Sequence, residues 1–307
     1  MTARLPLTSM LPRPRTPRPR SARQSAALAA IAGVLIALLT ACGPDDDEPF
    51  RVGSDQSPAM RVAAAIYAGA LARTGVRVEI APTVDGDRDL LDATARGEKD
   101  LFPAFTGDLL VALTPKPDAT SADDVETAVN RALPQGVTIG DPAAVSDRRQ
   151  VVLAQRLVDA HRLTDLADCG ELPSGLPLAT TGTLSDDERA AFSLCRVGPI
   201  EENLTPAQVV ARVEAGTQLG ALTGLEAATV LAGREDVTSL RSESSGPRAQ
   251  SLVPVYRSGR VGKSQMKALS RVAGELTTVD LAELGRKVQD GADPTAVANE
   301  WLSSSGV

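Results

Sequence analysis

Aromatic side chains are nearly missing from this chain of 307 residues, where four Phe, two Tyr and one Trp make up 2% of the whole. They are Phe50, Tyr67, Phe102, Phe105, Phe192, Tyr256 and Trp301, so any packed core is built chiefly from Ala, Val and Leu. Histidine is scarcer still. His161 stands alone, among helix-type residues beside Arg162. One imidazole in that setting assembles neither a Ser–His–Asp nor a Cys–His set, so enzymatic chemistry is not expected. The three cysteines, Cys42, Cys169 and Cys195, have no second ligand pair near them, which argues against a metal site. No cofactor is implied. Paired carboxylates such as Asp186-Asp187 fall in helix first turns, where they favour the dipole. A bilayer-spanning run is also missing: residues 26–39 are apolar, but about 14 residues fall short of the roughly 20 required.

What surrounds that short run is informative. Arg4, Arg13, Arg15, Arg18, Arg20 and Arg23 precede it, and Leu39-Thr40-Ala41-Cys42 follows. A basic region, a short apolar region and a small-residue cleavage site make a secretory signal. The cysteine after it matches the bacterial lipobox, in which a diacylglycerol thioether forms on the sulfur and the peptidase cuts just before it. Residues 1–41 are therefore expected to be removed as a lipoprotein signal peptide. Cys42 is expected to carry lipid that holds the mature chain to the outer face of the bacterial cell membrane. Acyl chains contribute ~0.8 kcal/mol per buried CH₂, so two or three together anchor stably. Residues 42–49, with Asp45, Asp46, Asp47 and Glu48 in a row, read as a solvated acidic tether.

Cleavage removes six of 32 basic residues and none of 39 acidic ones, leaving 26 against 39 and a formal net charge of −13. Nucleic-acid binding rests on neutralising phosphates with Lys and Arg, and this balance argues against it. It argues equally against adsorption to anionic lipid, so the membrane is met through the lipid anchor alone. In an oxidising compartment the remaining pair, Cys169 and Cys195, is expected to form a disulfide worth ~3 kcal/mol.

Strand and helix signals alternate along the mature chain, which predicts an α/β class with parallel pairing. Residues 50–54 read as a strand entering a loop, Ser57-Pro58 as a helix start, and Gly75 as its stop. Residues 100–107 read as a buried strand leading into a helix at 108–113. Thr205-Pro206 and Asp293-Pro294 open further helices, and residues 217–223, 236–241 and 252–256 read as strands. No repeat of solenoid period is present. Residues 259–264 (GRVGKS) have the look of a phosphate loop, but Arg257 stands where a Walker A motif requires glycine. A helix start carrying Lys263 is the better account.

Three stretches then carry a family resemblance: Val52-Gly53-Ser54 with the helix to Leu71, ATARGEKD at 93–100, and LFPAFTG at 101–107. Residues 52–110 resemble the N-terminal lobe of the ABC-importer substrate-binding proteins for glycine betaine, choline and carnitine. Residues 276–302 (LTTVDLAELGRKVQDGADPTAVANEWL) resemble the family's closing helices. The resemblance implies a type II periplasmic-binding-protein-like fold, two α/β lobes joined by two crossings with a ligand cleft between them. Lobe 1 would take residues 50–135 plus 246–307, and lobe 2 residues 136–245. The implied partners are a small-molecule solute, with a quaternary-ammonium osmoprotectant foremost, and an ABC permease with its ATPase. A non-transport lipoprotein using the same shell as an interaction or sensor module is the alternative.

Placed on the family's motif, the tyrosine of its "YTG" step falls on Phe105, and the next two residues on Thr106 and Gly107. Asp108 takes a position that usually holds Thr, and Met60 one that usually holds Gln. Ser54 and Asp55 fall in the loop after the first strand, and Thr223 in a ligand-contacting segment of lobe 2. The resemblance thus implies a substrate site of Ser54, Asp55, Phe105, Thr106, Asp108 and Thr223. The family holds the trimethylammonium head among aromatic faces, but Phe192 is the sole aromatic residue of the expected lobe 2, too few for a full cage. Asp55 and Asp108 are the carboxylates that would meet a cation by charge instead. Four of these residues also have a plainer role: Phe105 in the core, Asp108 as a helix N-cap, Asp55 as exposed loop charge, Thr223 as a strand-end turn.

Overall fold

A computed structural model of the protein describes residues 48–242 and 246–307. The expected signal peptide, Cys42 and most of the expected acidic tether lie outside the described residues. The rest, Pro49–Val307, forms one compact unit built on two sheets. The first lobe opens with β1 (Phe50–Val52), α1 (Pro58–Ala72), β2 (Val78–Ile80), α2 (Gly86–Ala95), β3 (Leu101–Phe105), α3 (Thr106–Leu113), α4 (Ala122–Ala132) and β4 (Val137–Ile139). The chain then crosses into a second lobe. This holds β5 (Gln150–Ala154), α5 (Gln155–His161), β6 (Leu178–Thr180), α6 (Asp186–Phe192), β7 (Ile200–Glu201), α7 (Pro206–Glu214), β8 (Leu219–Leu222), α8 (Gly224–Val230) and β9 (Val237–Leu240). It returns to complete the first lobe with β10 (Leu252–Arg257), α9 (Lys263–Glu275), α10 (Thr278–Gln289) and α11 (Pro294–Ser304).

The strand orders are β2-β1-β3-β10-β4 and β7-β6-β8-β5-β9. Pairing is parallel only in part. β1 runs parallel to β2 and β3, and β6 to β7 and β8. β10 is antiparallel to β3 and β4, and β5 to β8 and β9. The reason is connectivity. β5 and β10 each enter a lobe directly from a crossing, at the edge where the parallel strands end, and run away from it. The lobe boundary also differs from the expected residue 136. β4 belongs to the first sheet, with Ile139 opposite Val255, so the chain leaves lobe 1 only after Ile139.

Local chemistry explains the helix starts. Ser57 caps α1 by accepting the Met60 N–H at 3.1 Å, with Pro58 in the first turn. The Ala-rich face of α1 lets α10 and α11 lie close against it, and together they bury Ile66, Leu71, Leu281 and Leu302. The segment that resembled a phosphate loop is an anchor. Arg260 donates to the buried Asp100 at 3.1 Å, as does Arg257, and the Gly262 N–H donates to Gln265 Oε1 at 3.1 Å to open α9. In the second lobe Cys169 and Cys195 are joined by a disulfide within a core of Leu153, Leu178, Phe192 and Leu219. No described helix is long and apolar enough to cross a membrane.

Candidate functional site

β1, β3, β6 and β8 end at the edge where the two crossings, whose described residues are 140–149, 241–242 and 246–251, pass between the lobes. Open α/β sheets place their ligand crevices outside the carboxyl ends of their strands. Two glycines let helices press onto the crossings there. A Cβ on Gly107 would stand 2.6 Å from the Ala249 carbonyl oxygen, and one on Gly224 would stand 1.9 Å from that of Ser146. The hydroxyl of Thr106 accepts the Ser251 N–H at 3.1 Å, fixing the start of α3 to the second crossing.

A continuous series of polar contacts follows from there. Gln250 Nε2 donates to Asp108 Oδ1 at 2.7 Å, and its Oε1 accepts the N–H groups of Gly107 and Asp108 at 3.0 and 3.1 Å. The Gln250 carbonyl accepts the Asp147 N–H at 2.9 Å. The Asp147 carboxylate accepts the Leu225 N–H at 2.8 Å and the Thr223 hydroxyl. Thr223 caps α8 in a reciprocal box with Glu226, whose carboxylate also accepts the Thr181 hydroxyl at 2.7 Å. Arg149 donates to Thr180 at 3.1 Å, to Thr181 at 3.2 Å and to Glu188 at 2.8 Å. Arg248, buried on the second crossing, donates to the carbonyls of Pro117 and Ala119 and pairs with Asp187 of α6. The contacts therefore pass from lobe 1 through both crossings into lobe 2.

Carboxylates dominate this ring. Asp108, Asp147, Asp187, Glu188 and Glu226 face Arg149 and Arg248, both already paired. Asp55 and Asp87 add to the excess from lobe 1, and Asp87 feels the charges of both Asp108 and Asp55. Burial pushes the Asp87 carboxyl up to about 7, helped by repulsion from Asp108 and then Asp55. Burial raises Asp147 to about 6 against the bonds from Leu225 and Thr223, with Glu226 and Asp108 adding repulsion. Asp108 is also raised, first by burial and then by Glu188, while Gln250 and Arg248 oppose. Such a site stabilises positive charge. Among the described residues, no group of three or more His, Cys, Asp or Glu is placed to hold a metal ion.

The residues expected from the sequence divide in two. Asp108 and Thr223 lie in the ring, joined through Gln250 and Asp147. Asp55 sits in the loop after β1, where its Oδ1 accepts the Ser57 N–H at 2.8 Å. Ser54, Phe105 and Thr106 are buried in the frame: Phe105 packs in the lobe 1 core, and the Ser54 carbonyl accepts the Val84 N–H at 3.1 Å. Asp108 is not the N-cap of its helix. Phe105 holds that position, because β3 runs straight into α3 and puts Asp108 two residues past Thr106, the first helical residue.

Sequence reasoning missed Asp87, Asp147, Arg149, Glu188, Glu226, Arg248 and Gln250. A signal existed for two of them: Ser185-x-x-Glu188 and Thr223-x-x-Glu226 are capping boxes that put a Glu beside a strand end. A cavity of about 870 Å³ lies to one side, between α8, β9 and the crossings, and shares only Arg149 with the ring.

A family described as the substrate-binding domain of ABC-type glycine betaine transport systems matches residues 48–304. Among solved structures the chain is similar to apo YehZ from Escherichia coli, at 17% identity and a TM-score of 0.67 over 84% of this chain and 99% of that one. It is similar also to a glycine betaine/carnitine/choline ABC transporter protein, at 12% identity and a TM-score of 0.66 over 83% of this chain and 98% of that one. No curated protein matches in sequence. At these identities the structural likeness speaks for the fold, which is of the type II periplasmic-binding-protein kind.

Proposed function

The chain belongs to the family of substrate-binding domains of ABC-type glycine betaine transport systems, and on that premise we propose that it is a lipid-anchored, extracytoplasmic solute-binding protein that delivers a small organic cation to an ABC permease and its ATPase. The observation that carries this is the excess of carboxylates where the strand ends of both lobes meet the crossings. Quaternary-ammonium osmoprotectants such as glycine betaine, choline and carnitine are the candidates the family suggests, and here charge rather than ring faces would hold them. Asp55, Asp108 and Thr223 act with Asp147, Glu188 and Glu226, while Ser54, Phe105 and Thr106 hold the frame. Hinge closure about the crossings brings the lobes onto the solute. The lipobox supports Cys42 as the anchor, and the acidic tether sets the spacing from the membrane.

Thermal-shift titration of the mature chain tests the binding role. A ligand bound to the folded state raises the melting temperature with concentration. Choline, glycine betaine, carnitine and their less methylated parent amines form the panel, and a concentration-dependent rise with at least one of them is expected. Silence across the panel removes the solute-binding role and leaves the non-transport lipoprotein. Mass spectrometry of the membrane-extracted protein tests the anchor, since a diacylglycerol adduct on an N-terminal Cys42 is expected.

A further inference from the structure

Given that the cleft is the solute site, we infer that it selects a cation whose nitrogen donates hydrogen bonds, on a ligand that carries no carboxylate. Three observations converge. The first is where the rings are. A fully methylated ammonium has no N–H and is held by aromatic faces through cation–π attraction. Here Phe50, Tyr67, Phe102, Phe105, Phe192, Tyr256 and Trp301 are all at most 8% exposed, so every ring serves a core and none is spare for a cage.

The second is what the carboxylates have left over. An ionised carboxylate has about four acceptor sites. Asp108 and Asp55 each accept a protein bond through Oδ1 alone, and half-buried Asp87 accepts none from the described residues. These oxygens match the several N–H groups of a primary ammonium or a guanidinium. Methyl groups in the same place would leave them desolvated and unpaired.

The third concerns the other end of the ligand. The carboxylate of a betaine or carnitine requires donors, and both arginines of the ring already pair with carboxylates. Gln250 takes the N–H groups of Gly107 and Asp108, Asp147 takes that of Leu225, Asp55 that of Ser57, and Ser57 that of Met60. Arg149 is held by Glu188 and Arg248 by Asp187. A zwitterion's carboxylate would meet chiefly other carboxylates.

Calorimetric titration of the mature chain at pH 8 with ethanolamine, choline and glycine betaine separates the two ends of the ligand. Ethanolamine and choline differ by methylation of the nitrogen, choline and glycine betaine by the carboxylate. Ethanolamine is expected to bind at least roughly tenfold tighter than choline, from charge-assisted hydrogen bonds that only it makes, and choline tighter than glycine betaine. Asp87→Asn should narrow the gap between ethanolamine and choline. The reverse order, with glycine betaine tightest, overturns this inference and leaves the solute-binding role standing. No binding by any of the three overturns both.

Discussion

The two lobes share a plan and differ in how they are held together. The first packs Phe50, Tyr67, Phe102, Phe105, Tyr256 and Trp301 among its sheet and helices, while the second has Phe192 and the Cys169–Cys195 disulfide. A large ring buries 150–250 Å² and dominates core energetics. The second lobe replaces most of that burial with a covalent link between its two short 3₁₀ turns, Leu166–Glu171 and Ser193–Cys195. The difference stops at the cleft, where both lobes present the same chemistry. Rings stabilise the cores, and carboxylates gather where the strand ends of both lobes meet the crossings.

Phe192→Ala strains this comparison most. Emptying the only aromatic site of the second lobe should cost about 3–5 kcal/mol in denaturant unfolding. Hydrogen exchange should rise across β5, β6 and β8 while β1, β3 and β10 stay protected. Equal loss in both sheets would show that the lobes do not hold separately. Next is the double change Cys169→Ser with Cys195→Ser, expected to cost about 3 kcal/mol, again confined to the second lobe.

A smaller effect comes from pH. The folded carboxyls of Asp87 and Asp147 titrate near 7 and 6, above the ordinary value of 3.8. Folding therefore favours their protonated forms, so their stabilising contribution is full below about pH 4 and is lost as pH rises through 6 to 7. Asp87→Asn should raise the melting temperature by a few degrees at pH 8 and leave it unchanged at pH 4. Cation affinity should run the other way, falling as the pH drops from 8 to 5. The smallest effect sharpens the likeness of the two capping boxes. Ser185→Ala and Thr223→Ala should each cost ~1 kcal/mol of stability, but Thr223→Ala should also weaken cation binding, since its hydroxyl holds Asp147.

Much of the fold was legible because its signals are local. Ser57-Pro58, Thr205-Pro206 and Asp293-Pro294 each open a helix where expected. The helix over Gly224–Val230 was missed although Thr223 and Glu226 formed its box, because seven residues give too little periodicity to read. Strand direction was misjudged at β5 and β10, where it depends on the crossings rather than on the strand itself. The site was half legible for the same reason. Asp108 and Thr223 stand at strand ends beside readable motifs. Asp147, Arg149, Arg248 and Gln250 lie on crossings, and nothing near them in sequence shows that the fold brings them together.

The central claim is that charge from the cleft carboxylates, Asp108 among them, holds a small cation between the lobes. Calorimetry of ethanolamine binding to Asp108→Asn beside the unaltered chain at pH 8 tests it most directly. Asp108 lies outside the cores, and Asn in its place keeps an oxygen for the Gln250 amide, so the melting temperature without ligand should barely change while affinity falls at least roughly tenfold, the loss of one charged hydrogen bond. Equal affinity in the two proteins would contradict the claim.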